Sequence, residues 1–271
     1  MPREHGAWAM LLQPFLGALL VLRSLSWLLL PALACMLLVF LIREPLIVLA
    51  RQKWIWRDPH AEALPARKMV LLYGGLLCGA GGWLLLVWPM WIVAAFGFAA
   101  SLMTALAVYM TIRNKQRAAW FQALSAAGLS SSCIVACLAV TGNVPAWGWW
   151  WWALHSAHYL TGILVVHVRL EARIQARMKK PALSGAFLSM RREAAMIQGL
   201  LAVGSVALLA IGKPYYALAG VLSAAAHFRD LFTAHTPAAI AMPMVTVGKY
   251  ALVGSIIFGL LMIAGAVLSV N

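Results

Sequence analysis

The chain has 271 residues, of which 64% are hydrophobic and only 10% are charged, and its mean hydropathy is +0.88. A soluble domain is about one quarter charged, so this chain has too few polar groups to cover a water-exposed surface, and it is an integral membrane protein. Its 21 Lys and Arg outnumber its 7 Asp and Glu. Because the basic residues lie between apolar segments, we interpret them as a topology signal and expect no nucleic-acid partner.

The first apolar segment begins directly after three polar residues in MPREHGAWAMLLQPFLGALL. An interfacial anchor needs only a basic residue and an aromatic one, which Arg3 and Trp8 supply. Glu4 and His5 exceed that need, so part of a cytoplasmic-side site is favoured over plain anchoring. A cleaved signal peptide is rejected because no small-residue cleavage site follows and a second apolar segment lies beyond Arg23.

Further apolar segments follow along the chain, and a membrane helix needs about 20 such residues. The sequence predicts an all-α polytopic bundle of nine transmembrane helices in a single domain, 1–271. Eight is the alternative count because the eighth segment is short. The predicted spans are 7–22, 25–42, 69–88, 90–112, 119–140, 147–168, 195–212, 214–228 and 246–268.

The basic residues divide the connections into two groups. Of the 21 Lys and Arg, 19 lie at the N-terminus or near the connections after spans two, four, six and eight. Only Arg23 and Lys213 lie in the other connections. The positive-inside rule therefore predicts a cytoplasmic N-terminus and an external C-terminus. The run 149–152, four consecutive Trp residues, would mark the outer headgroup level, with a ligand-stacking platform as the alternative.

Two long basic connections, 43–68 and 169–193, follow spans two and six on the predicted cytoplasmic face. The first is typical of an interfacial amphipathic helix on anionic lipid, or of a lid that holds a phosphate or carboxylate. In the second, Arg169, Arg173 and Arg177 share one helix face at i, i+4 spacing, which suits lipid phosphates or a bound anion. We expect both connections to border one cavity.

Histidines near these connections allow another interpretation. His155, His158 and His167 lie on span six, and His227 lies on span eight. Two His ligands from different helices could hold a b-type haem, and His227 could pair with one from span six. A single intramembrane His is more often part of hydrogen-bonded structure. Polar residues within a span remain functional candidates.

Two resemblances add to this interpretation. The start REHGAWAMLLQPFLG resembles the YwiC-like family of bacterial membrane proteins, whose recognisable feature is the EHGAW segment that enters the first helix. The order of spans and long connections resembles the UbiA-type intramembrane prenyltransferases, in which Asp-rich motifs after spans two and six bind prenyl diphosphate through Mg²⁺. At the matching places this chain reads REPLIVLAR (43–51) and HVRLEARIQ (167–175), where Glu44 and Glu171 supply the only carboxylates. Arg and Lys would therefore have to neutralise a diphosphate directly, and no metal site is predicted.

The sequence thus predicts a protein of the bacterial inner membrane with a cytoplasm-facing basic pocket for an anionic amphiphile, such as an isoprenoid or phosphorylated lipid. Membrane lipids are the expected partners, and no cofactor is specified. The alternatives are a prenyltransferase-like enzyme, an accessory protein of a membrane complex, a small transporter and a haem-binding protein. The candidate catalytic residues, for proton transfer or for orienting the bases, are Glu4, His5, Glu44, Glu171 and Asp230. The candidate ligand-binding residues are Arg43, Arg51, Lys53, Arg57, Arg169, Arg173, His158, His227 and Arg229.

Overall fold

The structure, a computed structural model, describes residues 5–178 and 185–270, and within these ranges it contains helices and short connections but no strand. The expected all-α helical bundle is confirmed. The helices are α1 (His5–Leu22), α2 (Leu29–Trp54), α3 (Ala63–Val87), α4 (Met90–Ile112), α5 (Ala119–Ser130), α6 (Ser132–Thr141), α7 (Ala146–Arg177), α8 (Gly185–Ala210), α9 (Pro214–Thr233), α10 (Pro237–Ala241) and α11 (Met244–Val270).

Each predicted span overlaps a helix or a pair of helices, although the bounds of several differ. Six segments of the described chain are long and apolar enough to cross a membrane. The fourth of these, Ala119–Thr141, consists of α5 and α6, which are separated at Ser131. α1 is shorter, and α7 and α9 carry more polar residues. A multi-pass membrane protein follows from these helices, whereas the count of nine crossings stays a prediction.

The two basic connections are largely helical. α2 continues through 43–54, so that the loop before α3 contains only 55–62, and α7 continues through Arg177. These extensions contain good helix formers such as Arg, Leu, Gln and Ala. Hydropathy locates the edge of the apolar stretch, but it does not end a helix whose next residues also favour helix. Arg51 and Lys53 in the last turn of α2 also complement the negative end of the helix dipole.

α7 is the central helix of the bundle. It packs against α1, α5, α6, α8, α9, α10 and α11, whereas α3 and α4 lie at the periphery with most of their apolar side chains exposed. Trp151 on α7 is fully buried, although its neighbour Trp149 is half exposed. A Cβ at Gly17 would lie 2.6 Å from the Trp151 ring, so this glycine allows α1 to approach α7 closely.

Candidate functional site

α7 and α9 approach each other at three levels, two of them marked by polar contacts, and the order of these levels shows that the two helices run in the same direction. Near their N-terminal ends, Trp147 and Lys213 line one cavity. In the middle, His158 contacts Ser223, and near the C-terminal ends Arg169 pairs with an aspartate of α9. His158 lies midway between Trp147 and Arg169, about 16 Å from each along α7 at about 1.5 Å per residue. The outer two levels are therefore separated by about the thickness of a bilayer core.

The middle level is a buried hydrogen-bond network centred on His158. Its Nδ1 lies 2.7 Å from Ser223 Oγ, and its Nε2 lies 3.0 Å from Ser255 Oγ. A neutral imidazole has one donor and one acceptor nitrogen, so one serine donates and the other accepts. The imidazole therefore joins α7 to both α9 and α11.

The same network extends to α1. The amide of Gln13 donates to the carbonyl oxygen of Ser255. The Tyr159 hydroxyl lies 3.1 Å from Gln13 Oε1, to which it donates, and 3.3 Å from the carbonyl oxygen of Ala9. Four helices are thus connected through polar side chains within an otherwise apolar interior. Sequence reasoning missed Gln13, Tyr159, Ser223 and Ser255, and their only signal was that they are polar residues within apolar segments.

The structure brings His158 and His227 together, with ring centroids 5.5 Å apart and ring planes 28° from parallel. His158 also stacks on Phe258, with a centroid distance of 4.1 Å. A bis-His haem needs two ring nitrogens that point at an iron between them. Here the rings are stacked and both nitrogens of His158 contact serines, so this pair does not fit such a haem. Elsewhere in the described ranges, no three His, Cys, Asp or Glu side chains are placed to hold a metal ion.

The C-terminal level contains a partly buried ion pair. Arg169 Nη2 lies 3.1 Å from Asp230 Oδ1, and the two side chains are 8% and 23% exposed. Arg229 contacts the same carboxylate oxygen at 3.3 Å, but it is 76% exposed. Arg169 also reaches the sulfur of Met242 at 3.9 Å. Because Asp230 largely neutralises Arg169, this arginine is better placed to brace α7, α9 and the end of α10 than to hold a ligand.

Next to this pair lies an open cleft of about 380 Å³, which we call the arginine cleft. Arg173 and Arg177 supply its positive charge, and no Asp or Glu in the described part of the chain pairs with either of them. The Nε of Arg173 is buried and has no hydrogen-bond partner within the described ranges. The residues lining the cleft are Arg173, Ala176, Arg177, Ile240, Ala241, Met242 and Pro243.

The candidate ligand-binding residues on α2 and in the loop after it lie near other helices than Arg169 and Arg173 do. Arg43 contacts Glu44 at 3.0 Å, Arg51 is half-buried, and Lys53 and Arg57 are exposed. α2 packs against α3, α4 and α6, whereas Arg169 and Arg173 belong to α7. A single cavity shared by both basic segments therefore stays a prediction.

Three candidate carboxyl or imidazole groups remain. Glu171 accepts a hydrogen bond from Gln175 at 3.0 Å on the same helix. Glu4 lies outside the described residues. His5 is the first residue of α1, and its side chain also lies outside the described part of the chain. The roles predicted for Glu4 and His5 stay predictions.

A family model described as YwiC-like protein matches residues 1–137, which is just over half of the chain. The chain belongs to the YwiC-like family. The resemblance noted at the EHGAW start is thereby confirmed. The match runs from α1 into α6, so it includes Gln13, Arg43 and Glu44, whereas α7 to α11 lie beyond it. No curated protein and no solved structure matches the chain, and the UbiA-type layout stays a prediction.

Proposed function

We propose that this YwiC-like membrane protein binds an anionic amphiphile, of the class of isoprenyl phosphates and phosphorylated lipids, in the arginine cleft. The observation that carries the proposal is the composition of the cleft, in which Arg173 and Arg177 face an apolar wall formed by 240–243. On the charge distribution of the sequence, this end of α7 faces the cytoplasm.

The charge of the cleft favours a phosphate. Guanidinium groups bind phosphate through paired hydrogen bonds, and a positive charge without a carboxylate partner gains most from such an anion. The buried Nε of Arg173 is one donor that a ligand oxygen could satisfy. Among the described residues the Nε of Arg169 is also buried without a partner, but Asp230 already neutralises the charge of that guanidinium group.

The apolar wall favours an amphiphile over a free ion. Ile240, Met242 and Pro243 can contact a hydrocarbon chain while the arginines contact the headgroup. The contact of Met242 with Arg169 links this wall to the ion pair of α7 and α9. This contact fixes the position of the apolar wall relative to Arg173 and Arg177, which favours ligand binding between them.

The test compares the binding of farnesyl phosphate and farnesol to the detergent-purified protein by native mass spectrometry. Farnesyl phosphate should bind, and the double variant Arg173→Gln/Arg177→Gln should weaken it at least about tenfold, since a hydrogen bond to a charged group contributes about 1.5–3 kcal/mol. Arg113→Gln/Lys115→Gln removes the same charge from two exposed residues between α4 and α5, neither of which is a binding candidate, and should leave binding unchanged. Equal losses in both double variants, or equal binding of the alcohol, would contradict the proposal.

A further inference from the structure

A second cavity lies at the opposite end of α7 and α9 from the arginine cleft. It has a volume of about 230 Å³ and is lined by Ala146, Trp147, Trp150, Lys213 and Tyr216. We call it the tryptophan–lysine cavity. Ala146 is the first residue of α7, and Lys213 is the N-cap residue of α9, so the N-terminal ends of two long helices meet there.

Positive charge converges on this cavity from three directions. The ammonium group of Lys213 is one source. The first-turn N–H groups of α7 and of α9 are the others, because they lie at the positive ends of the helix dipoles. Two positions supply no free donor: the N–H of Gly148 donates to the carbonyl oxygen of Pro145, and Pro214 has no N–H. Helix N-termini with exposed N–H groups bind phosphate and carboxylate.

No acidic side chain is available to neutralise Lys213. The chain has no Asp or Glu between 63 and 170, between 194 and 229, or after 230. The N-terminal halves of α7 and α9 and the whole of α11 therefore contain no carboxylate side chain that could reach the cavity. All seven acidic residues belong to the segments that the charge distribution assigns to the other face of the membrane, namely Glu4, Glu44, Asp58, Glu62, Glu171, Glu193 and Asp230.

The side chain of Tyr216 gives an independent indication of a ligand. Tyr216 is 1% exposed and lines the cavity, and its buried hydroxyl group has no hydrogen-bond partner among the residues that the structure describes. Its ring packs closely on α11, where a Cβ at Gly265 would lie 2.9 Å from it. A buried hydroxyl without a partner is unfavourable, and native proteins normally satisfy such groups. A ligand oxygen in the cavity would accept this hydrogen bond.

We propose that the tryptophan–lysine cavity binds the phosphate headgroup of an amphiphile at the membrane face opposite the arginine cleft. Lys213 and the two helix ends contact the phosphate oxygens, and the Tyr216 hydroxyl donates to one of them. Trp147 and the partly exposed Trp150 contact the glycerol or the start of the hydrocarbon chain, which is the depth that Trp prefers in a bilayer. This site shares no residue with the arginine cleft, so either can fail without the other.

The test measures the binding of dioctanoyl phosphatidylglycerol, dioctanoylglycerol and inorganic phosphate to the full chain in neutral-lipid nanodiscs by native mass spectrometry. Lys213→Gln should weaken phosphatidylglycerol binding at least about tenfold. Arg23→Gln is the matched control, because Arg23 is the other basic residue assigned to this membrane face. Each measurement is made in the Arg173→Gln/Arg177→Gln background, so that a lipid held at the arginine cleft is not counted.

Tyr216→Phe separates ligand binding from a purely structural role. It removes a hydroxyl group that has no hydrogen-bond partner in the described part of the chain, so the free protein should keep its thermal stability while phosphatidylglycerol binding falls about threefold or more. Binding of phosphatidylglycerol but not of inorganic phosphate supports the lipid headgroup as the source. Binding of inorganic phosphate that depends on Lys213 assigns the site to a free anion and overturns the amphiphile. Equal binding by Lys213→Gln and Arg23→Gln, or equal binding of dioctanoylglycerol, overturns the site itself.

Discussion

Replacement of His158 by Phe tests whether the buried network holds α7, α9 and α11 together. The variant keeps an aromatic ring against Phe258, where the imidazole now stacks at 4.1 Å, but it loses the hydrogen bonds to Ser223 and Ser255. A side-chain hydrogen bond inside a membrane protein contributes about 0.6 kcal/mol on average and at most about 1.7 kcal/mol. His158→Phe should therefore lower the free energy of unfolding by about 1–3 kcal/mol.

The expected cost is limited because each serine hydroxyl can turn to a backbone carbonyl of its own helix. His158→Ala also removes the stacked ring and leaves a cavity, so it should cost about 2–5 kcal/mol. Unfolding by a denaturing detergent, followed by circular dichroism, measures both variants. A double-mutant cycle of His158→Phe with Ser223→Ala should give a favourable coupling energy of about 0.5–1.5 kcal/mol. Strict additivity, or a His158→Phe variant as stable as the natural chain, would refute the network's role.

Two further changes test close packing and the buried ion pair. Gly17→Val should lower the free energy of unfolding by about 1–3 kcal/mol, because a Cβ there would lie 2.6 Å from the buried tryptophan ring of α7. Gly97→Val is the control and should be tolerated, since a Cβ at Gly97 would have no neighbour within 4 Å. Equal melting temperatures of the two variants would contradict this expectation. Asp230→Asn leaves Arg169, only 8% exposed, without its carboxylate partner and should lower the free energy of unfolding by about 3 kcal/mol. Arg229→Gln removes the 76% exposed partner of the same carboxylate and should lower it by less than about 1 kcal/mol. The reverse order in thermal unfolding would contradict the structural role of the Arg169–Asp230 pair.

Hydropathy was sufficient to predict the long helices, because a chain in lipid must satisfy its backbone hydrogen bonds within each segment, but it did not predict the short α10. It did not predict where α2 and α7 end, since their basic continuations favour helix as strongly as the apolar parts do. For this reason hydropathy alone indicates one long connection over 43–68. Most of that segment continues α2 or begins α3, and only 55–62 forms a loop.

The candidate site was only partly predictable for a different reason. His158 and His227 were recognised as polar residues on two spans that could meet, and they do stack. Ser223 and Ser255 were not, because they lie 65 and 97 positions from His158 and small hydroxyl residues are common in membrane helices. The rotation and depth of each helix decide which polar residues meet, and these depend on packing that a single helix pattern does not specify.

Arg169 shows how that packing changes an interpretation. Its spacing groups it with Arg173 and Arg177 on one face of α7, as the sequence predicts for an anion site. α9 then brings Asp230 within 3.1 Å of the first of the three, and α10 places an apolar wall beside the other two. On the same face of α7, Arg169 therefore forms a structural ion pair, whereas Arg173 and Arg177 remain positively charged in the arginine cleft.

The most direct test of the anionic amphiphile site is photo-crosslinking with a farnesyl phosphate analogue that carries a diazirine on its hydrocarbon chain, mapped by peptide mass spectrometry. We expect labelling of 240–243 that farnesyl phosphate, but not farnesol, competes away and that is lost in Arg173→Gln/Arg177→Gln. Labelling that is confined to the exposed faces of α3 and α4, or that persists unchanged in the double variant, would contradict it.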